Sequence, residues 1–162
     1  MNLELSYKTL KEGSQKLALQ NATQKNNALK AVAKALDKNR KSIIDANKID
    51  IENAQKKGVP DSIIDRLLLN DKRIDGIIES LNIVIAQTDP IGDEIAGWKT
   101  PNGMSIRQVR VPLGIVGIIY ENRPNVTVDA FCLAYKSGNS ILLRGSSSSY
   151  VSNKEIVRVI KD

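Results

Sequence analysis

The chain has 162 residues, with 24 Lys and Arg against 18 Asp and Glu and a net charge of +6. That length suits one domain with a real core, and 41% hydrophobic content with only 4% aromatic makes the core aliphatic. One cysteine and no histidine exclude an internal disulfide and any multi-Cys metal site, so no metal is expected.

No apolar run nears the roughly 20 residues of a membrane span. The charged start, MNLELSYKTLKEGSQK, has no signal-peptide core, and a cytoplasmic location is the plain expectation. Lysines are interleaved with acids, as in Lys34-Ala-Leu-Asp37-Lys38. The positive balance therefore reads first as a solvated surface, with attraction of phosphorylated ligands as the next reading. Nucleic acid comes last, because there is no dense basic run and no aromatic interleaving.

Residues 1–93 form a helical segment by pattern. Leu3, Leu10 and Leu17 roughly share one face of a first helix. Asn21-Ala-Thr-Gln24 has the form of a capping box. It opens a helix with Leu29, Val32, Ala33 and Leu36 at i, i+3, i+4, i+7. Ile43, Ile44, Asn47 and Ile51 mark a third helix, ended by Gly58 and Pro60. Asp61 stands where it can cap a short turn of helix through Leu68. Asn70 or Asp71 starts another, with Ile74, Ile77, Ile78, Leu81 and Ile85 on its buried side and Asp89-Pro90 beyond its end.

Residues 94–162 change character. Asn102-Gly103 between β-type runs is a hairpin signal. Two apolar runs follow: Val109–Tyr120, broken by Pro112 and two glycines, and Ser140–Leu143. A helical segment from Val126 to Lys136 joins them and stops at Ser137-Gly138-Asn139. Strand, helix and strand make a βαβ unit. Val151 to Asp162 is a second crossover helix. The fold class is α/β: an N-terminal helical layer, a β-hairpin and one βαβ unit.

Ligands of open α/β sheets bind outside the carboxyl ends of the strands. Glu121-Asn122-Arg123 and Arg144-Gly145-Ser146 sit there, and two arginines favour an anion, most simply phosphate. Each feature also has a plainer reading. Glu121–Pro124 can be a polar loop before a helix, Arg144 a surface arginine, and Ser146–Ser149 a flexible connector. Gly114 and Gly117 make no G-x-G-x-x-G and fit bends or tight packing better.

The stretch PLGIVGIIYENRPNVTVD followed by KSGNSILLRG closely resembles the γ-glutamyl phosphate reductases (glutamate-5-semialdehyde dehydrogenases) of the aldehyde dehydrogenase superfamily. Asp45-Ala46-Asn47, Asp65-Arg66-Leu67 and Asp89-Pro90-Ile91-Gly92 extend the likeness over the whole chain, which looks like the N-terminal portion of that family. The resemblance implies a partial NADP-binding, Rossmann-like domain over 94–162. It implies an NADPH-dependent reduction of γ-glutamyl phosphate in proline biosynthesis, and a homo-oligomer. It implies cofactor contacts at Tyr120, Glu121, Arg123, Arg144, Gly145 and Ser146, with Arg144 toward a 2′-phosphate. Asn122 aligns with the superfamily's oxyanion-holding asparagine from one side of the loop only. No catalytic residue is expected here: the family's cysteine motif lies beyond residue 162, and Cys132 sits on an apolar helix face as an inert thiol. Alone, the chain is expected to be inactive, and to expose apolar surface on Ile141–Leu143 and on the helix from Val151 to Ile160. Other readings are a non-catalytic nucleotide or anion module, and an interaction fragment.

Overall fold

The computed structural model describes residues 3–162; Met1, Asn2 and the side chain of Leu3 lie outside it, so the expectation for Leu3 does too. Five helices come first: α1 (Leu3–Leu17), α2 (Ala22–Lys38), α3 (Arg40–Lys56), α4 (Asp61–Leu67) and α5 (Asp71–Ala86). Then follow β1 (Glu94–Lys99), β2 (Ser105–Val109), β3 (Ile115–Ile119), α6 (Asn125–Lys136), β4 (Ser140–Arg144), a 3-10 turn (Ser147–Ser149) and α7 (Tyr150–Lys161). The α/β class and the hairpin-plus-βαβ order match expectation.

The helix starts follow their caps. The Asn21 side chain accepts from the Gln24 N–H at 2.9 Å, and Gln24 Oε1 accepts from the Asn21 N–H at 3.0 Å, a complete capping box. Asn70 Oδ1 accepts from the Arg73 N–H at 2.9 Å and opens α5. At α4, Pro60 occupies the cap position and Asp61 makes no cap bond.

β1 and β2 pair antiparallel, with Trp98 opposite Ile106; β3 and β4 pair parallel, with Ile115 opposite Ser140 and Ile119 opposite Arg144. The long apolar run is not one strand. Val109 closes β2, and β3 starts only at Ile115. Pro112 has no N–H to offer a ladder, and Gly114 turns the chain at φ +102°. The turn is fixed from the other side of the unit, where Asn139 Oδ1 accepts from the Gly114 N–H at 2.9 Å. Gly138, at φ +75°, lets α6 turn back into β4, and a Cβ there would press on Pro112 Cγ at 2.9 Å.

The core lies among helices and crosses the 93/94 boundary. Leu29 and Leu36 of α2, Ile43 of α3, Ile74 and Leu81 of α5, Val128 and Cys132 of α6, and Ile156 and Val159 of α7 form one cluster. Each fully buried aliphatic side chain contributes about 1.5–3 kcal/mol. Ile156 and Val159 are each 1% exposed, so the apolar face of α7 is covered by this chain's own helices rather than left open as expected. Two lysines also depart from the solvated-surface reading. Lys25 is buried, with its Nζ 2.5 Å from Asp89 Oδ2 and donating to the Lys136 carbonyl at 3.1 Å. The Lys136 ammonium, buried beside it, donates to Asn26 Oδ1 and to the Ile85 carbonyl. These ammoniums hold the C-terminal ends of α5 and α6 together, where helix carbonyls favour cations.

Among the described residues no helix is long and apolar enough to cross a membrane, and no group of His, Cys, Asp or Glu is placed to hold a metal.

Candidate cofactor groove at the strand ends

The carboxyl ends of β3 and β4 lie side by side. The Tyr120 N–H donates to the Arg144 carbonyl at 3.1 Å and carries the parallel pairing one step past β3. Beyond that pair a groove of about 500 Å³ opens between the strand ends and the start of α7. Tyr120, Arg144, Gly145 and Ser146 all line it. The structure thus brings four of the six expected residues to one cavity. Glu121 and Arg123 line a smaller recess of about 140 Å³, shared with Tyr120, Asn122 and Arg66. Tyr120 forms part of both.

The floor of the groove is a hydrogen-bonded chain. Thr127 has one hydroxyl proton, and it goes to Asn153 Oδ1 at 3.1 Å. Tyr120 must therefore donate to Thr127 Oγ1, at 2.6 Å. Asn153 Nδ2 in turn donates to Ser149 Oγ at 2.9 Å. Burial pushes the Tyr120 phenol above its ordinary range, against a lowering by the Thr127 bond. The phenol stays protonated and acts as a fixed donor.

Gly145 has a reason internal to the chain. A Cβ at this position would overlap Asn153 Nδ2 and stand 3.1 Å from the Tyr120 ring and hydroxyl. The expected close approach at Gly145 is thus made by the chain's own Tyr120 and Asn153.

The two loops are tied together. Ser146 Oγ donates to Asn122 Oδ1 at 3.1 Å and accepts from the Ser148 N–H at 3.0 Å. Ser146–Ser149 is therefore a capped turn into α7 rather than a loose connector. Behind it, Asp50 of α3 holds the start of α7. Its carboxylate accepts from the Val151 N–H at 3.2 Å, the Ser152 N–H at 2.8 Å and the Ser152 hydroxyl at 2.6 Å. Asn47 braces the same place, donating to Ser152 Oγ at 3.0 Å and to the Leu67 carbonyl at 2.9 Å, and accepting from the Leu69 N–H at 2.7 Å.

The groove's charge is one-sided. Arg144 and Lys154 line it and no acid does. Neither cation has an ion-pair partner among the described residues, whereas Arg40, Arg73 and Arg158 are all paired. Lys154, Tyr150 and Asn153 were not singled out from the sequence. Their signal was there: Tyr150, Lys154 and Val157 share a face at i, i+4, i+7 on the helix that follows the serines. Arg66 was likewise quoted only within a motif.

Cys132 is remote in character from a nucleophile. It is 2% exposed, its Sγ lies 3.2 Å from the Asp129 carbonyl, and burial first, with the Asp129 charge second, pushes its thiol up to about 11.

No family model matches the chain. Individual proteins do. The γ-glutamyl phosphate reductase of Thermotoga petrophila is 54% identical over 146 residues, which cover 89% of this chain and 35% of that protein. The crystal structure of γ-glutamyl phosphate reductase from Thermotoga maritima has a TM-score of 0.96 at 48% identity, over 99% of this chain and 39% of that one. A NAD-dependent benzaldehyde dehydrogenase from Corynebacterium glutamicum, at 16% identity and a TM-score of 0.70 over 99% of this chain and 33% of that one, shares the fold. The chain spans well under half the length of these relatives. Over that span, it corresponds to the N-terminal part of the γ-glutamyl phosphate reductases, on the aldehyde dehydrogenase fold.

Proposed function

We propose that the chain supplies the cofactor-facing part of a reductase that converts γ-glutamyl phosphate to glutamate-5-semialdehyde in proline biosynthesis, with NADPH as the cofactor. The observation that carries NADP is the charge of the groove. Arg144 and Lys154 stand unpaired, without the carboxylate that would favour a free ribose 2′-hydroxyl. Arg144 reads the 2′-phosphate through its guanidinium fork. Tyr120 lines the same groove, and the Ser146–Ser149 turn brings hydroxyl and N–H groups to the start of α7. When bound, the cofactor supplies hydride to the acyl carbon. Glu121 and Arg123 line the second recess, which shares Tyr120 with the groove.

Cys132 supplies no thiolate, because an activated nucleophile needs a lowered pKa or an adjacent base and this thiol has neither. By itself the chain is therefore inactive as a reductase. Self-association is supported by the hairpin, where Ile95, Trp98, Met104 and Val109 are all exposed.

The test is equilibrium titration of NADP and NAD against wild type, Arg144→Gln and Lys154→Gln. Wild type should bind NADP at roughly millimolar Kd and NAD more weakly. Each substitution should weaken NADP about tenfold and leave NAD unchanged. Equal binding of both nucleotides by all three proteins refutes the assignment.

A further inference from the structure

A groove of about 760 Å³ lies outside the cofactor groove, between α4, α5 and the start of α6. Its charged wall holds Arg66, Lys72, Arg73 and Arg123 with Asp65 and Asp129, and its arginines divide by partnership. Arg73 is fully engaged: Nη2 meets Asp65 Oδ1 at 2.7 Å and Nη1 donates to the Leu68 carbonyl at 2.8 Å. Arg66 and Arg123 have no ion-pair partner among the described residues. Both border this groove, and both also border the 140 Å³ recess beside Tyr120 and Asn122. They are thus two free guanidiniums on the ridge between the two cavities. Asp129, one turn into α6, lines the same groove. One of its oxygens accepts from Asn125 Nδ2 at 3.0 Å, and no cation answers it among the described residues.

Two guanidiniums without an ion-pair partner and a half-buried carboxylate without a cation line one groove, a complement of a specific kind. A site for phosphate alone gains nothing from Asp129, which repels a second anion. An α-amino acid presents both charges on one carbon, a carboxylate for the guanidinium forks and an ammonium for the aspartate. We propose that this groove holds the amino-acid end of the γ-glutamyl substrate, its α-carboxylate between Arg66 and Arg123 and its α-ammonium on Asp129. This rests on the reductase reading given above. It adds how the enzyme distinguishes a glutamyl group from other acyl phosphates. Burial holds the Asp129 carboxyl above its ordinary range, against the Asn125 bond, and an arriving ammonium relieves that burden. Asn125 keeps its carbonyl oxygen free to accept from the same ammonium.

The experiment is a set of NMR titrations on the 162-residue chain with L-glutamate, glutarate (no ammonium), 4-aminobutyrate (no α-carboxylate) and inorganic phosphate. L-glutamate should saturate and shift resonances of Arg66 and of residues 123–129. Glutarate and 4-aminobutyrate should each bind about tenfold more weakly. Arg66→Gln and Arg123→Gln should each weaken L-glutamate about tenfold. Asp129→Asn, close to isosteric, should erase the preference for L-glutamate over glutarate without weakening glutarate. No saturable L-glutamate binding up to about 100 mM overturns the proposal, as does phosphate binding with no discrimination between glutamate and glutarate. Adding 2′,5′-ADP to the same samples separates the two readings. If it binds at Arg144 while L-glutamate fails, the amino-acid site falls alone. If neither binds, the reductase reading falls with it.

Discussion

Replacing Asp50 by alanine should unfasten α7 from α3 and loosen the strand-end groove from behind. The first N–H groups of a helix have no partner within it. Here Asp50 supplies that partner, accepting two backbone N–H groups and one hydroxyl at 2.6–3.2 Å while 3% exposed. Bonds to a charged acceptor contribute about 1.5–3 kcal/mol each, and a buried donor left unmet costs about 1–3 kcal/mol. The terms overlap, and Asn47 still reaches the Ser152 hydroxyl. We expect a loss of about 3–5 kcal/mol for Asp50→Ala, within the range for breaking a buried charged contact. Asp50→Asn keeps one acceptor and should cost about half as much. At about 2–4 °C per kcal/mol for a domain of this size, Asp50→Ala should melt roughly 6–20 °C below wild type. Urea unfolding followed by circular dichroism measures the free energy directly. A loss under about 1 kcal/mol with an unchanged m-value would refute the reasoning and show that α7 is seated by its apolar face alone.

Further outcomes are expected elsewhere. Gly145→Ala should cost about 1–3 kcal/mol by overpacking Tyr120 and Asn153, seen as a lower urea midpoint and a shifted Tyr120 signal. Glu155 is held at about 2, from its ordinary 4.5, by the Arg158 guanidinium at 2.7 and 3.0 Å. Its folded pKa is depressed, so its stabilisation is present above about 4.5 and is lost as pH falls toward about 2. Glu155→Gln should flatten the acid limb of the stability-against-pH curve in that window. Cys132 should resist alkylation at neutral pH in the folded chain and react only on unfolding, as thiol labelling across a urea series reports. Trp98→Glu should shift a self-associating chain toward monomer in light scattering across a dilution series.

Much of this was legible in the residues. Asn21 and Gln24 announced the start of α2, Asn70 that of α5, and Asn102-Gly103 the hairpin, because caps and tight turns are local chemistry. The strand-end placement of Tyr120, Arg144 and Ser146 followed from the βαβ order alone. The departures come from contacts distant in sequence. Lys25 looks like any helix lysine until the carbonyl of Lys136, 111 residues away, meets it. Asn47 sat among isoleucines on one helical face, yet its three bonds reach Leu67, Leu69 and Ser152. The break between Val109 and Ile115 was signalled by Pro112, but the Asn139 side chain that fixes Gly114 belongs to another turn. Arg66 joined the recess at Arg123 only through tertiary packing.

The most direct test of the cofactor groove is to map, residue by residue, the amide shifts caused by 2′,5′-ADP in the labelled chain. Binding at the strand ends predicts saturable changes confined to Tyr120–Asn122 and to Arg144–Lys154, which vanish in Arg144→Gln. Saturable changes centred elsewhere, or none at Arg144 and Ser146, would contradict it.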